Sequence, residues 1–218
     1  MPPIARRRKH PVLNIIRWVF LAIAVATLGY VSYSLTDAKV FQAYENWRLD
    51  RAVKNADRSA AVPSRIHPAS ATAVEEVARL PVRRGDVLGR LEISRIGMSV
   101  IIAEGVDGKT LRRAVGHVPG TAYPGEAGNV ALSGHRDTYF RALKDIRQGD
   151  EVTLTTARRT YRYRVDSLKV VAETEIGVLQ DSGGSVLTLV TCYPFYYVGP
   201  APKRFIVRAH LEPVNRQF

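Results

Sequence analysis

Among 218 residues there is a single cysteine, Cys192. A thiolate is a strong nucleophile, so one cysteine can carry acyl-transfer chemistry. It excludes an intrachain disulfide and a Cys-rich zinc module. Cys192 ends the apolar run SVLTLVTC (185–192) and precedes Tyr193-Pro194. Proline cannot continue a central strand, so the thiol is expected at a strand end, where a side chain reaches the mouth of a cleft. The competing reading is an inert thiol filling the core. A reactive thiol needs a proton partner and a donor for developing negative charge. Of the five histidines, His10 and His67 lie in the amino-terminal region, His210 in the last predicted strand and His117 in a turn-rich stretch. His135 closes a predicted strand in ALSGHRDTYF (131–140), so strand-end thiol and strand-end imidazole can meet at one rim. Arg204 opens the last strand in GPAPKRFIVRA (199–209), behind Pro200 and Pro202, which stiffen its approach. Its guanidinium can donate to a carbonyl or oxyanion. Taken singly, each reads as a structural histidine or a surface arginine.

The positioning elements are mainly strands. VLGRLEI (87–93), MSVIIAEG (98–105), GNVALSGH (128–135), DEVTLTT (150–156), RTYRYRVDSLKVVA (159–172), SVLTLVTC (185–192) and RFIVRAHLEP (204–213) are short, β-branched runs separated by turn residues. YRYRVDS alternates as a half-buried strand does. GKTLRRAV (108–115) and DTYFRALKDI (137–146) have helical composition, with Asp137 expected to cap the second. Seven or eight short strands with few helices predict an all-β barrel or sandwich.

The amino terminus sets the compartment. Residues 18–36, WVFLAIAVATLGYVSYSLT, carry no charge and follow Arg6, Arg7, Arg8, Lys9 and Arg17. As a helix they span roughly 28 Å, close to a bilayer's hydrocarbon thickness. Trp18, Tyr30 and Tyr33 sit toward its ends, and the basic flank predicts a cytoplasmic amino terminus. A cleaved signal ending near Ala24-Val25-Ala26 and a buried core helix are the alternatives. The expected organisation is a basic tail (1–17), a signal-anchor (18–36), a juxtamembrane helix with a flexible linker (37–82) and a β domain (83–218). Phe41, Tyr44 and Trp47 form an aromatic stripe that lies either on the membrane or on the domain. With 32 basic and 20 acidic residues the net charge is +12. No zinc-finger spacing, helix-turn-helix or RNP-like motif accompanies it, so a solvated basic face is expected and nucleic acid is not.

TLVTC (188–192), with GHRDT (134–138) upstream and KRFIVRA (203–209) downstream, resembles the sortase family over residues 83–213. GHVPGTAYPGEAGNVALSGHRDTYF (116–140) and TLVTCYPFYYVGPAPKRFIVRA (188–209) are most similar to class D. The resemblance implies a closed eight-stranded β-barrel with short helices behind an amino-terminal transmembrane helix. It implies Cys192 as nucleophile, His135 as general acid/base and Arg204 as oxyanion or substrate-positioning residue. Thr191, next to the nucleophile, is the expected substrate contact. The implied reaction is cleavage of a C-terminal sorting signal (LPxTG-like, at Thr-Gly) through a thioester. The substrate protein is then transferred to an amine of the cell envelope or of a pilin subunit, with side hydrolysis. His117 is expected to be structural. No organic cofactor or catalytic metal is implied. Calcium, held by some members on loop acids, has Glu104, Asp107, Glu126 and Glu175 as its candidates here, without EF-hand spacing. Two readings compete: a predominantly hydrolytic enzyme with the same site, and a non-catalytic tethered β-barrel that binds envelope polymers or partner proteins.

Overall fold

The computed structural model describes residues 11–61, 82–180 and 183–213. The basic tail at 1–10 and the linker stretch at 62–81 lie outside the described residues. One helix, α1, runs Pro11–Ala61, and the chain divides into two compact units between Val40 and Phe41. In the first unit the apolar side chains stand exposed all round, among them Trp18 at 67%, Phe20 at 68% and Leu28 at 71%. A helix apolar on every face suits a lipid solvent, and this one is long and apolar enough to cross a membrane.

The second unit is a closed barrel. Its strands are β1 (Val87–Ile93), β2 (Met98–Glu104), β3 (Val115–His117), β4 (Gly128–Ser133), β5 (Glu151–Thr155), β6 (Thr160–Ala172), β7 (Ser185–Tyr193) and β8 (Lys203–Leu211). They pair in the order β1-β2-β3-β4-β7-β8-β6-β5, and β5 closes on β1. Two pairs are parallel, β2 with β3 and β4 with β7. The first needs a crossover, supplied by α2 (Gly108–Arg113), whose entry Asp107 caps by accepting from the Lys109 and Thr110 amides. Alternate residues of each strand fill the interior, including Leu91, Ile102, Leu132, Leu154, Leu189 and Val207, while Phe140, Leu143 and Ile146 pack against the same core.

The structure departs from the sequence reading in three places. β3 lies where a helix and a turn-rich stretch were expected, because only three residues pair and no periodicity marks them. Asp137 sits in a turn; the 3-10 helix beyond it spans Arg141–Asp145 and enters through Phe140, without a side-chain cap. The third concerns residues 41–61, expected outside the β domain, which belong to the barrel's unit. Their inner face is half-buried Phe41 with buried Glu45 and Leu49, at spacings of four, and Phe41 packs against Ile101, Ala103 and Ala114. Tyr44 and Trp47 are exposed, and Arg51 covers the Trp47 ring at 3.8 Å. Gln42 accepts from the Ile101 amide at 2.9 Å and donates to the Arg113 carbonyl at 2.6 Å. Arg90 reaches out from β1 to Asp50 at 2.9 Å.

A second fastening joins the end of β1 to the start of β5. Arg95 donates to both carboxylate oxygens of buried Asp150 and to the Asp145 carbonyl, and Asp150 also accepts from the Arg147 amide at 2.8 Å. The Arg95 hydrogen bond, helped by the Arg147 amide, holds the Asp150 carboxyl below the usual carboxylate range. A depressed folded-state value stabilises the fold above the unfolded value, near about 3.9. That contribution fades as pH falls through the lower, folded value. Asp150→Asn is therefore expected to cost about 2 kcal/mol at pH 7. The gap between parent and variant in urea melts should close as the pH is lowered below about 4. A gap that stays constant with pH would contradict the assignment.

Candidate active site

Strand parity decides which side chains meet. On β7, Leu187 and Leu189 face the interior, so Thr191 does too, and Cys192 faces outward. On β8, Val207 and Ala209 face inward, so Arg204 and Ile206 face outward. Cys192 and Arg204 are direct partners in the antiparallel β7–β8 register, and directly opposed residues share a face. β4 runs parallel to β7 and its last paired residue, Ser133, lies beside Val190, two positions before His135 and Cys192 respectively. Two hydrogen bonds carry the pairing past the strand end. The Gly134 amide donates to the Val190 carbonyl at 3.2 Å, and the Thr191 hydroxyl donates to the Gly134 carbonyl at 2.7 Å. Cys192 and Arg204 thus share the outer face of β7 and β8, and His135 lies on the loop that leaves β4 next to β7.

The three differ in how they are held. Cys192 is half-buried and open to solvent, so the inert-core reading fails. His135 is exposed, and among the described residues no hydrogen bond joins its ring to the thiol. Arg204 is fixed on three sides. Its Nη1 donates to the Ala201 and Lys203 carbonyls at 3.0 and 3.1 Å, and its Nη2 to Glu173 at 3.1 Å. Glu173 follows the last paired residue of β6, where Val171 lies opposite Arg204.

Thr191 is 2% exposed and its hydroxyl is committed to Gly134. It thereby ties the loop bearing His135 to the strand bearing Cys192. Gly134 is itself constrained, since a Cβ there would meet the Phe140 ring at 2.8 Å. Thr191→Val keeps the shape but leaves the buried Gly134 carbonyl without its donor. The expected loss is about 2 kcal/mol of stability. Amide hydrogen exchange should speed up at residues 134–140, and unchanged exchange there would refute the tie.

His117 is fully buried and stacked on Tyr123, with ring centroids 4.8 Å apart. Its Nδ1 lies 2.7 Å from Glu104 and its Nε2 3.0 Å from the Ala122 carbonyl. One ring nitrogen is thus engaged with the end of β2 and the other with the β3–β4 connection, a structural task. The loop acids are scattered over other tasks. Glu104 holds His117, Asp107 caps α2, Glu126 accepts from the Tyr123 amide, and Glu175 is exposed. Among the described residues no three His, Cys, Asp or Glu side chains group as metal ligands. Sequence reasoning did not single out Arg136 or Glu173. Arg136 stands in the GHRDT segment, whereas the bearing of Glu173 on Arg204 depends on the β6–β8 register.

A barrel with a half-buried cysteine opposite an anchored arginine, and a histidine on the neighbouring loop, has the layout of a thiol-dependent acyl transferase. Comparison with known proteins narrows this. Residues 91–212 match the sortase domain family model. Sortase D of Bacillus subtilis is 32% identical over 198 residues, covering 89% of this chain and 96% of that protein. A sortase D5 transpeptidase from Clostridium perfringens superposes with a TM-score of 0.57 at 25% identity, covering 75% of this chain and 98% of that one. Sortase E from Streptomyces avermitilis gives 0.52 at 31% identity, over 60% and 91% of the two chains. The chain belongs to the sortase family and is a cysteine transpeptidase.

Proposed function

We propose that this sortase cleaves a C-terminal sorting signal of the LPxTG type at the Thr-Gly bond and transfers the upstream protein to an amine. Cys192 Sγ, its proton passed to His135, adds to the threonine carbonyl carbon while Arg204 donates hydrogen bonds to the oxygen as it becomes anionic. His135 delivers a proton to the departing glycine amine, and a thioester on Cys192 remains. An incoming amine then attacks the thioester carbonyl. It loses its proton to His135, and sulfur leaves as the amide forms. One hard amide exchange becomes two easier displacements. Thr191 supports the substrate from beneath by fixing the backbone of Gly134.

The observation that supports this reading is the direct pairing of Cys192 with Arg204, with the loop that carries His135 tied to the same strand through Gly134. Residues 18–36 anchor the chain in a single pass, supported by the exposed apolar surface of that helix. The basic residues of the first 17 favour a cytoplasmic amino terminus and an extracytoplasmic barrel. The acceptor is an amine of the cell envelope or of a pilin subunit.

The test uses the full chain in detergent, with a panel of quenched Leu-Pro-X-Thr-Gly peptides and triglycine. An acyl adduct on Cys192, released by hydroxylamine, and an amide product are expected. Acid as the sole product would favour a peptidase, and turnover without an adduct on Cys192 would overturn the mechanism.

A further inference from the structure

We propose that Arg136 is a positioning residue that locks the His135 loop to the chain connecting Cys192 with Arg204; the inference rests on the reactive roles given above. Arg136 directly follows His135. Its Nη2 donates to the Tyr197 carbonyl at 2.6 Å and to the Gly199 carbonyl at 2.9 Å. Its guanidinium carbon also lies 5.9 Å from the centre of the Tyr197 ring. Both carbonyls belong to the segment between β7, which ends just past Cys192, and β8, which begins just before Arg204. One side chain therefore spans all three reactive groups by way of their backbones.

The connecting segment needs such a tie. Its first part is fixed by packing, because Phe195 meets Phe205 edge-on at 5.4 Å. Its tip is not, since Tyr196 is 74% and Val198 96% exposed. At the tip Lys144 reaches the Tyr196 hydroxyl at 3.1 Å, a contact between two exposed side chains. Arg136 instead grips two backbone carbonyls. A planar, permanently charged donor suits two adjacent acceptors, and an ammonium on a flexible stem does not reproduce that. Loss of the grip leaves the His135 loop tied to β7 through Gly134 but without its hold on the β7–β8 connection. It also frees residues 196–199 to move over the thiol. Small displacements of reacting groups are costly in rate, and a shift of about 1 Å can remove two orders of magnitude.

The experiment compares the full chain in detergent, Arg136→Ala, Arg136→Lys and Cys192→Ala, using a peptide from the panel that the parent turns over. For Arg136→Ala, kcat is expected to fall about 30-fold or more with KM within about twofold. Chymotrypsin should cut after Tyr196 or Tyr197 at least about tenfold faster, because the tip is released. Arg136→Lys should recover less than about a tenth of the lost rate. A parental kcat in Arg136→Ala, with Cys192→Ala inactive, overturns this inference and leaves the site's roles standing. Faster cleavage at a parental kcat, or a lower kcat at parental cleavage, overturns it as well. Parental turnover by Cys192→Ala, or a parent inert to the whole panel, overturns the reading of the site and the inference with it.

Discussion

Cys192→Ala is expected to fold as the parent does and to lose peptide turnover by at least about 10³-fold. The two halves of that expectation come from different features. Cys192 is half-buried on the outer face of β7, so trimming its sulfur removes little packing. The strand is held by its register with β4 and β8 and by Leu187, Leu189 and Thr191 beneath, none of which the change touches. Thermal melts of the two proteins should therefore nearly overlap. Activity is another matter, because alanine offers no atom that can form the acyl intermediate. His135 and Arg204 remain and can polarise a bound peptide, but water would have to attack an unactivated amide. Peptide turnover and intact-protein mass check both halves. A variant that retains more than about a hundredth of parental turnover would show that sulfur is not the nucleophile.

The second large effect concerns stability. A chain beginning at Val82 contains every strand of the barrel, yet it should be far less stable than one beginning at Val40. Residues 41–61 bury Leu49 and cover part of Ile101, Ala103 and Ala114 with Phe41. Removing that packing forfeits about 3 kcal/mol. The two hydrogen bonds of Gln42 and the Arg90–Asp50 pair add about 2 kcal/mol more. A loss of about 5 kcal/mol is comparable to the whole stability of many domains. Urea melts of the two lengths decide the matter, and coincident midpoints would show that the helix lies on the barrel without supporting it. If the difference appears, Gln42→Ala should account for about 1–2 kcal/mol of it.

The sequence disclosed much of this and hid specific parts. The apolar strands were legible because alternation or β-branched density marked them, and Cys192 and Arg204 fell at strand ends as expected. β3 escaped because three residues carry no period, and it exists only because β2 and β4 offer it partners on both sides. Asp137 misled because a good capping residue stood before a helical composition, while the chain there turns and enters a 3-10 helix through Phe140. The aromatic stripe misled for a related reason. Phe41, Tyr44 and Trp47 attract the eye at spacings of three, whereas burial follows Phe41, Glu45 and Leu49. A glutamate in that set does not look like part of a packing face. That Cys192 stands opposite Arg204 followed only once β7 and β8 were known to be in register. The ties among their supports, Thr191 to Gly134 and Arg136 to Tyr197 and Gly199, join residues distant in sequence and have no local signature.

Gln42 has a further consequence. β3 begins to pair with β2 only at Ile102, so the Ile101 amide, which faces away from β1, has no strand beside it. A side-chain carboxamide has the donor and acceptor of a peptide group, and here it takes the place that a neighbouring strand would fill. Proteins confined to a surface meet one another at high local density, where an open stretch of strand invites pairing between copies. The plug is carried by the same polypeptide, so the barrel need not borrow one from its neighbours.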